Sequence, residues 1–223
     1  MNSMGRSALK TSFAWLPIAI IGLFSAAIAQ HQGVSEKLLS KISDKYGPTA
    51  ETRIRHWEGL IHQYHSSDDR KKLTIVNDFF NGARFVSDAI LWNKNDYWAT
   101  PLEFLANDAG DCEDFSIAKY FTLKEMGLDT AKLRITYVKA TTLNQAHMVL
   151  AYYASPNAEP LILDNLNKLI KPASQRQDLR PVYSFNADNL RLNRTRNEQL
   201  KAGKPSQLNL WRDLNSRMRR ELL

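Results

Sequence analysis

Residues 100–127 read TPLEFLANDAGDCEDFSIAKYFTLKEMG, with Gly110-Asp111-Cys112-Glu113-Asp114-Phe115 at the centre. Thr100, Pro101 and Glu103 form a helix start, with Thr as N-cap, Pro at the first helical position and Glu closing a capping box. Asn107-Asp108-Ala109-Gly110 ends that short helix. A longer helix is predicted from Cys112 to Met126, stopped by Gly127. Cys112 therefore stands in a first helical turn, where free N–H groups and the helix dipole favour a thiolate. It is the single cysteine of 223 residues, so no internal disulfide can form. Such a thiol is buried and inert, pairs with another chain, or acts as a nucleophile.

A nucleophilic thiol needs an imidazole base, and the base needs a group that holds its tautomer. Downstream of Gly127 the periodicity changes. Residues 133–140 (LRITYVKA), 147–153 (HMVLAYY) and 161–163 (LIL) alternate, are β-branched and read as strands, with a turn at Ser155-Pro156-Asn157. His147 opens the second strand and is the only histidine after Cys112. Asp164 ends the third. In adjacent antiparallel strands the two side chains can meet at the sheet edge facing the helix start.

Upstream, three helices are predicted. Residues 35–46 carry Leu38, Leu39 and Ile42 on one face and stop at Gly47-Pro48. Residues 52–64 carry Ile54, Trp57, Leu60 and Ile61. Residues 67–80 carry Leu73, Val76, Phe79 and Phe80. His56, His62 and His65 fall in this region but form no H-E-x-x-H motif, so they read as ordinary surface or core histidines. Residues 85–98 are aromatic-rich and irregular. Helices followed by an antiparallel sheet make an α+β domain, with a helical N-terminal half packed on a small sheet.

The composition, 24% charged and 43% hydrophobic, is that of a globular domain and excludes a disordered or disulfide-stapled chain. The formal charge of +7 suggests a nucleic-acid binder only until it is divided. Residues 1–29 hold +2, residues 30–190 hold −1 and residues 191–223 hold +6. The first segment has Arg6 and Lys10, an apolar run over residues 13–29 and an Ala27-Ile28-Ala29 ending, the layout of a signal peptide cleaved after Ala29. The alternative is an uncleaved anchor, since the run is at the short edge of what spans a bilayer. Either reading puts the rest outside the cytoplasm, where nucleic acid is not an expected partner. In residues 191–223, Leu208, Trp211, Leu214 and Met218 recur at helical spacing, so a basic amphipathic helix is expected to pack on the domain. Its arginines are a solvated face, or they meet an acidic partner or an anionic lipid surface.

The order of helix-start Cys, strand His and strand Asp resembles the transglutaminase-like branch of the papain-like superfamily. More closely, the chain resembles the bacterial transglutaminase-like cysteine proteinases that cleave adhesins in the periplasm. The stretches that carry the resemblance are residues 100–127, 133–140, 146–153 (AHMVLAYY), 160–166 (PLILDNL) and 178–186 (DLRPVYSFN), and GDCEDF is the most specific of them. The resemblance implies Cys112 as nucleophile, His147 as base and Asp164 as orienting carboxylate. It also implies a papain-like core over residues 30–190. The implied substrate is a large cell-surface adhesin cut near its N-terminus at an Ala-Ala type site. The implied partner is an inner-membrane cyclic di-GMP receptor that sequesters the protease.

Asp111, Glu113 and Asp114 surround the thiol. Acids in a first turn favour the dipole, which alone explains them. Yet like charges also oppose a thiolate, and a hard cation relieves that conflict; oxygen-only donors suit Ca2+. The EF-hand pattern is absent. The residues leave capping and calcium both open. The resemblance implies calcium-dependent proteolysis, with Asp111, Glu113 and Asp114 as ligands; Asp108 can add an oxygen but does not belong to the carried-over set. The Cys112 N–H is an expected oxyanion donor. Trp98, upstream, is the candidate second donor, with core packing as its alternative role. Two rivals stand. One is a transglutaminase or amidase with the same triad, distinguished by amine crosslinking in place of peptide cleavage. The other is a non-catalytic calcium-binding or receptor-binding module, distinguished by indifference to loss of Cys112.

Overall fold

A computed structural model of the chain describes residues 33–186 and 205–221. The signal-like segment 1–29 and residues 191–204 of the basic stretch lie outside the described residues. Among the described residues, no helix is long and apolar enough to cross a membrane.

The helical half begins with α1 (Glu36–Tyr46), α2 (Pro48–Tyr64) and α3 (Asp69–Phe80). Ser35 caps α1 by accepting the Leu38 N–H, and Asp68 caps α3 by accepting the Lys71 N–H at 2.8 Å. α2 starts four residues before the expected Thr52. Gly47, at φ 89°, makes the turn that only glycine adopts freely, and Pro48 enters the helix where its missing N–H costs nothing. The 3.6-residue faces read from the sequence are the buried ones: Leu39 and Ile42, then Ile54, Trp57 and Ile61, then Leu73, Val76 and Phe80.

Next come β1 (Arg84–Phe85), α4 (Asp88–Leu91), α5 (Pro101–Asn107), β2 (Ala109–Gly110) and α6 (Cys112–Glu125). Thr100 and Glu103 form the expected capping box on α5. α6 is buried on every side from Asp114 to Leu123, as befits a helix through the middle of a domain. A five-stranded sheet covers it: β3 (Leu133–Ala140), β4 (Gln145–Tyr152), β5 (Leu161–Leu163), β6 (Lys171–Pro172) and β7 (Leu179–Phe185), in the order β6-β5-β4-β3-β7 and antiparallel throughout. The fold is therefore α+β.

Two strands, β6 and β7, carry no clear strand pattern. Pro181 interrupts β7, and proline is tolerated only where no ladder hydrogen bond is needed. β7 lies at the sheet edge, and its register against β3 shifts between Tyr137 and Val138, so that Tyr183 and then Pro181 are the partners. Both sheet faces are covered near the middle. Ile135, Met148 and Leu150 join the main core, while Val138, Val149, Ala151 and Ile162 form a smaller cluster on the far side.

The last helix, α7 (Pro205–Glu221), is held by aromatic packing. Trp211 is 4% exposed, stacks on Phe121 with ring centroids 5.6 Å apart, and meets Trp98, Tyr120 and Phe185 edge-on. Arg217 pairs with Glu103 and donates to the Trp98 carbonyl at 2.6 Å, and Thr100 donates to Glu221 at 2.7 Å. α7 thus clamps the segment that leads into α5. Trp211→Ala is expected to cost about 3–5 kcal/mol, read from denaturant unfolding. A loss below about 1 kcal/mol would make α7 peripheral to the core.

Candidate active site

The site is assembled by two local devices. The first is the parallel pairing of β1 with β2, Arg84 beside Ala109 and Phe85 beside Gly110, which brings residues 84–88 alongside the start of α6. It needs Gly110, because a Cβ there would lie 2.7 Å from the Asp114 side chain and 2.8 Å from Phe104. The second device is unequal strand length. β5 pairs only with Leu150, Ala151 and Tyr152 of β4, so the chain leaves β5 at Asp164 beside the uncovered first half of β4, where His147 lies.

Asp164 Oδ1 meets His147 Nε2 at 2.7 Å, with both residues 2% exposed. This bond uses Nε2 and leaves Nδ1 as the ring nitrogen open to a second partner. Cys112 and His147 line one cleft of about 340 Å³, together with Trp98, Tyr137, Met148 and Leu166. The structure thus gathers the three residues read as a triad: thiol and imidazole in the cleft, carboxylate behind the imidazole. Trp98 forms part of the cleft wall, and its indole hydrogen-bonds to Asp96.

Asp164 is fixed from several directions. Its Oδ1 also accepts the Leu166 N–H at 3.0 Å, and its Oδ2 accepts Arg176 Nη2 at 2.6 Å. Its backbone carbonyl accepts Asn81 Nδ2 at 2.8 Å and Lys119 Nζ at 3.2 Å. Burial pushes the carboxyl up, but the hydrogen bonds from His147 and Arg176 outweigh it and hold Asp164 down at about 2. A carboxyl lowered by folding stabilises the fold above its unfolded value near 4 and loses that contribution as pH falls toward 2. The contribution is roughly 2 kcal/mol, and Asp164→Asn is expected to remove that part of the acid slope in unfolding free energy between about pH 4 and pH 2.

The thiol sits in an opposing field. Cys112 Sγ donates to Glu113 Oε2 at 2.9 Å. Burial, then the Glu113 and Asp111 carboxylates, push the thiol well above its ordinary range. The same crowding acts on the acids. Burial and Glu113 raise Asp111 to about 8, and burial and Asp111 raise Asp88 to about 6. Oxygens of Asp88, Asp111 and Glu113 lie within 4.8 Å of one another. Among the described residues, Asp88 Oδ1 and Asp111 Oδ1 are buried without a hydrogen-bond partner. Three converging carboxylates, two of them with orphaned buried oxygens, fit a hard divalent cation.

This cluster differs from the expected ligand set. Asp111 and Glu113 are in it. Asp114, the third expected ligand, is turned away to backbone duty: Oδ1 accepts the Ala99 N–H at 2.7 Å and Oδ2 the Asp111 N–H at 3.3 Å. The reason is its place three residues after the N-cap, where a side chain reaches back to the cap N–H. Asp88 takes the third place, carried there by the β1–β2 pairing. Asp108 ion-pairs with Arg53 at 3.3 Å. Asp88 and Arg176 are the two residues that sequence reasoning missed. Neither carries a motif; each is distinguished only by burial.

The family model of the bacterial transglutaminase-like cysteine proteinases matches residues 54–183. The chain belongs to this family. Solved structures of Legionella pneumophila LapG are similar to it over most of its length. The EGTA-treated form is 43% identical, covers 83% of this chain and 98% of its own, and superposes with a TM-score of 0.70. The calcium-bound form is 44% identical, covers 82% of this chain and 98% of its own, with a TM-score of 0.68. No curated protein sequence matches the chain.

Proposed function

We propose that the chain is an exported, calcium-dependent cysteine endopeptidase that cuts a large cell-surface adhesin near its N-terminus. The observation that carries this reading is one cleft holding a helix-start cysteine and a histidine backed by a buried aspartate, with three converging carboxylates beside the thiol. Cys112 Sγ attacks the peptide carbonyl. His147 takes the thiol proton through Nδ1 and gives it to the leaving amine, while Asp164 holds the ring through Nε2. The oxyanion is met by the Cys112 N–H, which is at the first helical position and has no intrahelical acceptor. Water, activated by His147, then hydrolyses the thioester.

Asp88, Asp111 and Glu113 are the proposed calcium ligands, with Asp114 bracing the loop that carries them. A cation held there would supply positive charge that offsets the Glu113 and Asp111 carboxylates and so favours the Cys112 thiolate. Support for calcium comes from the acidic cluster and from the calcium-bound LapG relative. The adhesin substrate with an Ala-Ala type site, the resulting biofilm dispersal, the periplasmic location and sequestration by an inner-membrane cyclic di-GMP receptor rest on the family resemblance.

The test is incubation of the purified protein with N-terminal segments of candidate adhesins, in Ca2+ and in EGTA, with products identified by mass spectrometry. Cleavage at a small-residue site in Ca2+ only is expected. Amine incorporation without cleavage would favour the transglutaminase rival, and cleavage unchanged in EGTA would remove calcium from the mechanism.

A further inference from the structure

We infer that Arg176 is a positioning residue for the hydrolytic reaction, holding Asp164 in the one orientation that serves His147. The inference rests on the proposed triad and adds a residue outside it. Asp164 stands at the end of a three-residue strand, where the backbone alone does not determine the side-chain rotamer. Its two oxygens have different partners: Oδ1 faces His147 and Oδ2 faces Arg176 Nη2. Rotation of the carboxylate would break both bonds at once.

Arg176 is itself held in a plane. Its Nε donates to Asp178 Oδ1 at 3.0 Å and its Nη2 to Asp178 Oδ2 at 2.8 Å, a two-point fork that only a guanidinium makes. The residue is 3% exposed. Burying an arginine costs desolvation that ion pairing barely repays, so net stability is a poor account of such a pair. Orientation is a better one, because reactions of this type lose rate steeply when a supporting group moves by an ångström. Lys119 of α6 and Asn81 at the end of α3 hold the backbone carbonyl of Asp164. Arg176 therefore supplies the only side-chain grip on Oδ2 among the described contacts.

The experiment compares Arg176→Gln, Arg176→Lys and Asp178→Asn in the purified full chain, well below each unfolding midpoint. The activity probe is a fluorogenic peptide with a central Ala-Ala bond in Ca2+. The second readout is the low-field imidazole N–H resonance in 15N-histidine-labelled protein, assigned to His147 by its loss in Asp164→Asn. Arg176→Gln is expected to lower kcat by roughly 10²-fold with KM within about twofold, and to shift or broaden the resonance. Arg176→Lys restores part of kcat, and Asp178→Asn, which keeps the Arg176 guanidinium but breaks the two-point fork that holds its plane, lowers it several-fold. In an Asp164→Asn background, Arg176→Gln should lower kcat by less than about twofold, because it acts through Asp164. Multiplying effects in that background overturn the inference. So do an unchanged resonance and kcat in a variant with a lowered melting point, the outcome of a purely structural role. Should Arg176→Gln fail to fold, unchanged kcat and resonance in both Arg176→Lys and Asp178→Asn overturn it equally. If the unaltered protein does not cut the peptide, the proposed function fails, and the resonance alone decides whether Arg176 positions the Asp164–His147 pair.

Discussion

Cys112→Ala is expected to lower peptide cleavage by about 10⁴-fold or more while leaving the unfolding midpoint within about 2 °C. The activity loss follows from chemistry. Cys112 is the only thiol in the chain, and no other nucleophile of comparable strength is expected to share the cleft with His147. The small stability change follows from position. Alanine is the best helix former, and the first helical turn is capped by residues other than Cys112, through the Asp111 N–H on Asp114. His147→Ala should be of similar size and should not multiply with Cys112→Ala, because thiol and imidazole act as one unit. Initial rates on an adhesin segment, with circular dichroism melts beside them, measure both. Retention of more than about one per cent of the activity in Cys112→Ala would mean that Cys112 is not the nucleophile.

Removal of calcium is the second large effect. With Ca2+ at a hundred times its dissociation constant, mass action stabilises the fold by about 2.7 kcal/mol, or roughly 5–10 °C in midpoint for a chain of this size. The pH dependence has a definite sign. Asp88 and Asp111 are raised by folding to about 6 and about 8, so the folded chain keeps protons that the unfolded chain releases near pH 4. Stability in EGTA should therefore fall as pH rises from about 4 to 8. A cation that takes the carboxylates removes that penalty, so the gain from Ca2+ should be larger at pH 8 than at pH 5. Asp111→Asn should shrink both the gain and its pH dependence. Equal midpoints in EGTA and in excess Ca2+ at pH 8 would mean that the cluster holds no calcium.

Legibility was uneven, for physical reasons. Local signals survived folding well. The capping box of α5, the Gly47-Pro48 stop and the 3.6-residue faces of α1 to α3 were readable because they are properties of neighbours in the chain. α2 began early only because Pro48 is as good a helix start as a turn signal. β7 was unreadable as a strand because Pro181 spoils the pattern, and only its place at the sheet edge, at a bulge, makes proline acceptable there. The site divides in the same way. Cys112 announced itself by being single and at a helix start. His147 and Asp164 were legible as strand ends, and their meeting followed from the pairing of β4 with β5.

The sequence by itself determined the α+β class, the helix that presents the thiol, and the candidate nucleophile, base and orienting carboxylate. It also located the acidic pressure on the thiol, since Asp111, Glu113 and Asp114 adjoin Cys112 in the chain. The tertiary structure alone decided how those acids divide their work: Asp114 to backbone amides, Asp111 and Glu113 to a cluster completed by Asp88 from 23 residues upstream of Asp111. It alone brought Arg176 to the far oxygen of Asp164. Both outcomes depend on burial and on contacts between distant segments. A carboxylate or guanidinium looks the same in a sequence whether it is solvated or sealed, and only packing removes the water and makes its partner matter.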